Sequence, residues 1–387
     1  MNILSLQSYS EWTPMTTVHV ALFEGLEPLG IQIHFAAPRS GDPANPGLLE
    51  KLGARGITRL LDVEILPSVH QHSRGQLVLA SARVPFRLAA VLRYVKEHQI
   101  RIIHVPSHAR DVTTGLLIAR ASGLPLVVHL HSLFAPWFSR ALKFGLRHAN
   151  GLISISEFVA QTARDAGVRP ERIAVVPNAA NLTALPARTR ESMRQELGIA
   201  LDVPLIVIVA RIIPLKGHDR LVAALALARQ TIPNAELLVV GEAQLIDPES
   251  IPFERRLHAD IAERGLKDVV HFVGRRADIP DLLAASDIFA MVSQEGFGLV
   301  FLEAMAASLP VVAERSGGAP EVVIEGETAF LIEPGDIPGL AQALIQLLGD
   351  AKLRARMGAA GRRHVEAQFA PPRVSQIASD ALRHFAG

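Results

Sequence analysis

Residues 295–303 read Glu295-Gly-Phe-Gly-Leu-Val-Phe-Leu-Glu303, directly after the short apolar run Ile288–Val292. Such a run, two glycines and a second apolar segment form the pattern of a buried strand turning into a helix over 297–307. Gly296 and Gly298 permit a sharp turn and close approach of a ligand to the backbone. A helix opening near Gly298 offers free N–H groups and the positive end of its dipole, which suits phosphate. Glu295 precedes that helix and Glu303 lies roughly a turn and a half inside it. On spacing alone the segment reads equally well as a strand–helix turn carrying two exposed glutamates.

A second corner, Val209-Ala-Arg-Ile-Ile-Pro-Leu-Lys-Gly-His218, places Arg211 and Lys216 after another apolar run, Leu205–Ala210. The chain has only six lysines, so one at a strand–helix corner stands out. Two cations facing the glycine-rich turn would neutralise a diphosphate and the charge that grows on a leaving nucleotide. Two solvated loop charges are the plainer reading, weakened because both corners follow strands of one expected sheet.

Similar short runs recur along the chain. Asn2–Leu6, Ile31–Ala37, Ile102–Val105, Leu126–His131, Leu152–Ser156 and Ile173–Val176 fill the first half. Leu205–Ala210, Leu237–Val240, Val269–Val273, Ile288–Val292, Val311–Ala313 and Ala329–Ile332 fill the second. Amphipathic stretches such as Val84–His98 and Asp219–Gln230 lie between them. Strands alternating with helices imply parallel sheets covered on both faces. The expected fold is therefore α/β: two Rossmann-like βαβ domains facing across a cleft. The first spans 1–180, a polar linker 181–203, the second domain 204–365, and a C-terminal helix, 366–387, crosses back to the first. Ligands of such sheets bind beyond the carboxyl ends of the strands.

Composition narrows the classes. The 387 residues are 49% apolar and 20% charged, the balance of a globular enzyme. Zero cysteines exclude disulfide scaffolds, zinc–thiolate sites and thiol nucleophiles. No apolar run approaches a membrane span and the first residues lack a signal-peptide pattern, so a cytoplasmic protein is expected. The formal charge of +1 hides an asymmetry: 1–190 carries 20 basic against 12 acidic residues, and the remainder 19 against 26. Dispersed arginines and few interleaved aromatics speak against nucleic acid.

The two corners together resemble the retaining nucleotide-sugar glycosyltransferases of the GT-B type. The family's paired glutamates, with seven residues between them, match Glu295 and Glu303, its phosphate-binding Arg and Lys match Arg211 and Lys216, and Ser316-Gly-Gly-Ala-Pro-Glu-Val322 resembles its next glycine-rich turn. The resemblance is dense over 203–348 and looser over the first 150 residues. It implies that Arg211 and Lys216 hold the donor diphosphate, Glu295 the donor sugar and Glu303 the ribose. The backbone of Phe297, Gly298 and Leu299 would touch phosphate, Gly296 would belong to the same donor-binding turn, and Gly274 and Arg275 would lie where the base is contacted. His131, ending Leu126-Val-Val-His-Leu-His131, matches a cleft histidine; a core histidine is the alternative. No cofactor is implied beyond the nucleotide-sugar substrate, with a sugar, a lipid-linked molecule or a small molecule as acceptor.

Several features stand apart from that resemblance. Gln7-Ser-Tyr-Ser-Glu-Trp-Thr-Pro14 replaces a Gly-Gly turn, and Pro177-Asn-Ala-Ala-Asn181 replaces Asn-Gly-x-Asp. His129 and His131 share a strand face, but no third His or carboxylate follows at ligand spacing and the chain has no Asp-x-Asp. No metal site is expected. The segment 133–148 combines aromatics with Arg140, Lys143 and Arg147, so it fits either a helix covering the sheet or a peripheral contact with anionic lipid at the inner face of the membrane. Two other functions fit the same scaffold: a nucleotide-sugar epimerase or hydrolase, and a non-catalytic binding protein that closes on its ligand.

Overall fold

The computed structural model describes residues 1–40, 42, 46–66, 81–134, 138–244 and 247–387. The chain divides into two compact units, Met1–Ala179 with Pro371–Gly387, and Ala180–Ala370. Each is built on a parallel sheet.

The first sheet contains β1 (Asn2–Leu6), β2 (Gln32–Ala37), β3 (Leu60–Asp62), β4 (Ile100–Pro106), β5 (Leu126–Leu130), β6 (Gly151–Ser154) and β7 (Ile173–Val175), in the order β3-β2-β1-β4-β5-β6-β7. The second contains β8 (Leu205–Val209), β9 (Glu236–Val240), β10 (Val270–Phe272), β11 (Ile288–Met291), β12 (Val311–Glu314) and β13 (Ala329–Ile332), in the order β10-β9-β8-β11-β12-β13. Every pairing is parallel, and central strands such as β5 and β11 are buried along their whole length. That explains why they read as unbroken Val/Ile/Leu runs rather than as alternating patterns.

The strand order reverses direction at β1–β4 in the first sheet and at β8–β11 in the second. At these switch points the loops following adjacent strands diverge and leave a crevice. The register Ile288↔Ile206 and Phe289↔Val207 sets the β8 and β11 loops side by side.

Two features of the fold differ from the sequence reading. β3 has only three residues, too few to show a pattern beside Arg59 and Asp62. The stretch 181–203, expected as a linker, belongs to the second unit and contains the helix Arg190–Leu197. Thr189 caps that helix by accepting from the Ser192 N–H, and Gly198 ends it in the left-handed conformation. Its Arg194 is fully buried and donates to the carbonyls of Ala200, Val203 and Ala285 and to Asp287 Oδ2 (2.9 Å). Asp287 also accepts from Arg190 and from the Leu205 N–H, so this network ties the helix to the amino ends of β8 and β11. An Arg-rich sequence therefore marks a buried, fully paired structural node, remote from the strand ends that carry ligand chemistry.

The last helix, Pro371–Ala386, lies in the first unit, where Val374, Ala378, Leu382 and Phe385 join the core of helix Pro14–Leu26 and the first sheet.

Candidate active site

In the second unit, the chain leaving β8 runs along the end of the sheet: Ala210 N–H donates to Val240 O and Ile212 N–H to Glu242 O. A turn at Pro214–Lys216 then leads to Gly217, which has φ +72 and sits so close to β11 that a Cβ would lie 2.4 Å from Val292 O. Only glycine permits this approach. The turn presents Lys216 to the loop after β11, where its ammonium pairs with Glu295 Oε1. Ser293, fully buried, donates to the same oxygen at 2.5 Å. Lys216 and Glu295, 79 positions apart, are thus fixed against each other with both side chains mostly buried.

The backbone of Glu295 is held as well. Its carbonyl accepts from Gly318 N–H (2.8 Å), and a Cβ on Gly317 would strike that carbonyl at 2.2 Å. The loops after β8, β11 and β12 therefore meet at one point. Gly298, at φ +88, opens the helix Leu299–Ala306 with no side-chain cap; Phe301 N–H donates to Gly298 O, and no side chain caps the N–H groups of Leu299 and Val300, the donors nearest an incoming anion. Phe297 is buried and packs its ring against Phe369, which leaves only its backbone to face a ligand. Arg211 is exposed, and among the described residues no ion pair or hydrogen bond engages its guanidinium.

Glu303 lies farther along the same helix. It borders a recess of about 440 Å³ whose apolar wall includes Ala277, Ile279, Pro280, Leu283 and Ala306. Desolvation there raises its carboxyl above the usual range. Gly274 follows β10 with φ +66 and accepts from Gly241 N–H. Beside it Arg275 is exposed, while Arg276 is held by Asp278 and Glu196.

The sequence reading missed two supports. One is Ser293. The other is Glu314 at the end of β12, buried and accepting from Arg220 (2.5 Å) and Ser316 Oγ (2.6 Å). A carboxylate closing an otherwise apolar run, Val311-Val-Ala-Glu314, is the only sequence signal for the latter.

In the first unit, Gln7 and Ser8 after β1 fold inward, and Ser8 N–H donates to Asp111 Oδ1 at 2.6 Å. Burial pushes Asp111 up to about 6. His131 lies just past β5 and its Nε2 meets His19 Nε2 at 2.7 Å. His19, on helix Pro14–Leu26, also stacks near His104 of β4 and His129 of β5, with ring centroids 5.3 and 4.7 Å away. Burial lowers all four imidazoles, His104 and His131 to about 3, and keeps them neutral. No third histidine follows His129 and His131 at local spacing; the further partners, His19 and His104, come from other elements and meet them only in the fold.

The segment 133–148 forms a helix over Arg140–His148 capped by Ser139, and residues 135–137 lie outside the described residues. Leu142, Gly145 and Leu146 face inward, while Phe144 is 48% exposed beside the exposed Arg140 and Arg147. Among the described residues no helix is long and apolar enough to cross a membrane.

Two doubly wound parallel sheets, the second with a cation–glutamate pair and an open helix tip at its switch point, define the GT-B class of nucleotide-sugar enzymes. The "Glycosyl transferases group 1" family matches residues 189–364 and "Glycosyltransferase Family 4" matches 15–184. The chain is 35% identical over 343 residues to the D-inositol 3-phosphate glycosyltransferase of Streptomyces scabiei, covering 79% of this chain and 75% of that protein. It is 40% identical over 190 residues to the GDP-mannose-dependent monoacylated alpha-(1-6)-phosphatidylinositol monomannoside mannosyltransferase of Corynebacterium glutamicum, covering 46% of this chain and about half (47%) of that protein. The crystal structure of Anabaena HepE in complex with UDP superimposes with TM-score 0.79 at 26% identity, covering 99% of this chain and all of that one. The chain belongs to the group 1 glycosyltransferases of the GT-B fold.

Proposed function

We propose that the protein transfers a hexose from a nucleoside-diphosphate sugar to an acceptor hydroxyl with retention of anomeric configuration, and that its own cations, rather than a divalent metal, balance the diphosphate. The observation that carries this reading is the fixed Lys216–Glu295 pair at the β8–β11 switch point, beside the uncapped helix start at Gly298. The pair provides a positive and a negative group within one small volume, as a sugar diphosphate requires. Lys216 and the unengaged Arg211 serve the diphosphate, together with the N–H groups after Gly298. Glu295, oriented by Ser293 and Lys216, accepts hydrogen bonds from sugar hydroxyls. Glu303 serves the ribose, and the apolar recess beside it the base, reached also by Gly274 and Arg275.

In the reaction, the bond from the anomeric carbon to the diphosphate oxygen breaks as Lys216 and Arg211 stabilise the charge developing on the leaving group. The acceptor hydroxyl attacks from the same face, and its proton passes to the departing phosphate oxygen. Glu295 binds and orients without forming a covalent bond. His131 serves as a polar contact at the strand ends of the first unit. The decisive test is nucleotide release from a panel of GDP-mannose, UDP-glucose and UDP-N-acetylglucosamine, with and without EDTA. Turnover of one donor that EDTA leaves unchanged supports the reading, and an absolute divalent-metal requirement overturns its metal-independent part. Rapid donor conversion without acceptor would favour the hydrolase or epimerase alternative.

A lipid-linked acceptor is favoured by one observation, the exposed Phe144 flanked by Arg140 and Arg147 on a helix whose other face is buried. Relatives that act on phosphatidylinositol mannosides point the same way. Co-sedimentation with anionic vesicles at low salt tests it; a protein that stays in solution would exclude this contact.

A further inference from the structure

Three histidines from three separate elements converge inside the first unit. His19 comes from helix Pro14–Leu26, His104 from β4 and His129 from β5, and one ring nitrogen of each lies within 4.8 Å of the others. All three side chains are at least nine-tenths buried. His104 Nε2 and both ring nitrogens of His129 have no hydrogen-bond partner among the described residues. Each such orphaned buried polar atom is costly to leave unpaired, so several of them gathered in one place call for an explanation.

We propose that His19, His104 and His129 form a binding site for a divalent transition metal of the zinc class, separate from the donor site of the second unit. The donor set selects the ion. Three imidazoles with no carboxylate suit Zn²⁺, Co²⁺ or Ni²⁺ and offer nothing to Mg²⁺ or Ca²⁺. The nitrogens would have to close from the observed separation to about 3.3 Å around an ion bound at about 2.0–2.1 Å. Side-chain rotations that move each nitrogen by about 1 Å suffice.

The surroundings supply the orienting contacts that metal-bound histidines usually have. Ser5 Oγ lies 3.2 Å from His104 Nδ1, which leaves Nε2 to face inward. His131 Nε2 contacts His19 Nε2 at 2.7 Å, and its ring stacks on His129 with centroids 4.3 Å apart, which holds both of those imidazoles in place. A bound ion would pin helix Pro14–Leu26 to β4 and β5.

The test uses the tag-free full-length protein, stripped with chelator and titrated with Co²⁺ and Zn²⁺ alone. The expected result is about one equivalent per chain, a visible Co²⁺ band of imidazole ligation and a raised Tm, all lost in His129→Gln and retained in His258→Gln, a change at an exposed histidine of the second unit. No saturable binding below about 100 μM, or wild-type binding by a folded His129→Gln protein, overturns the proposal. If His129→Gln does not fold, the wild-type Co²⁺ spectrum decides: an imidazole-type band supports the site, and a spectrum identical to aqueous Co²⁺ removes it. Because the readout is metal binding and not sugar transfer, failure here leaves the glycosyltransferase reading untouched.

Discussion

The two switch points share a topology and differ in chemistry. At β8–β11 the strand ends carry charges: Lys216 against Glu295, Arg211 unengaged, and a helix tip without a cap. At β1–β4 and the adjacent β5, four neutral imidazoles and a carboxyl raised to about 6 are packed out of water. The β8–β11 arrangement offsets the desolvation of Lys216 and Glu295 by pairing them, and leaves Arg211 exposed. The β1–β4 arrangement is governed by desolvation, which keeps its imidazoles neutral and raises the Asp111 carboxyl. One sheet end thus presents charged side chains, the end proposed here to take the donor diphosphate, whereas the other holds uncharged imidazole lone pairs. The same fold accommodates both because the side chains placed near the strand ends, not the strand order, decide what a switch point offers.

The largest expected effect tests the charged end. Lys216→Ala removes the cation paired with Glu295 and should lower kcat by about 10²–10³-fold, or about 3–4 kcal/mol of transition-state stabilisation. Near-normal turnover would show that the contrast between the two ends has no catalytic meaning. Gly298→Ala comes next. It forces an L-residue to φ +88 and brings a Cβ to 2.3 Å from the Phe301 ring, for a loss of about 2–3 kcal/mol in a denaturant titration and a collapse of donor affinity.

Acid tests the neutral end. A histidine whose folded pKa lies below its unfolded value of 6.5 stabilises the fold fully above that value. The stability is lost as pH falls, because only the unfolded chain takes up the proton. In the first unit this holds for His19, His34, His104, His129 and His131, with His34 at about 4; in the second it holds for His218, also at about 4. Between pH 6.5 and 4 the first unit should therefore lose protection in hydrogen exchange before the second. Equal loss in both would mean that burial of the imidazoles does not set their stability. The smallest effect is expected of Glu303→Gln, which should raise the donor KM about tenfold with little change in kcat, measured by steady-state kinetics.

Legibility in the sequence follows the same divide. The proposed donor site could be read as a candidate because its parts are local: Gly296, Gly298 and Glu303 fall within nine positions, and Arg211 and Lys216 within six. Phosphate recognition demands backbone donors and cations at a strand–helix corner, and such corners are short in sequence. Ser293 and Glu314 escaped notice because each is a single polar residue at the end of an apolar strand. The histidine cluster escaped for a stronger reason, since His19 and His131 are 112 positions apart and meet only through the packing of helix Pro14–Leu26 on the sheet. Arg190 and Arg194 were misread as linker polarity; their partner Asp287 is over 90 positions away.

The sequence alone determined the alternation of buried strands and amphipathic helices, and with it the parallel sheets and the two glycine-bordered corners. Those are consequences of short-range periodicity and backbone sterics, which each segment carries within itself. Tertiary structure alone decided which cation faces which glutamate, where the buried arginine finds its carboxylate, and that four histidines share one interior. These contacts depend on strand order and helix packing, and burial then sets the charge of every group involved.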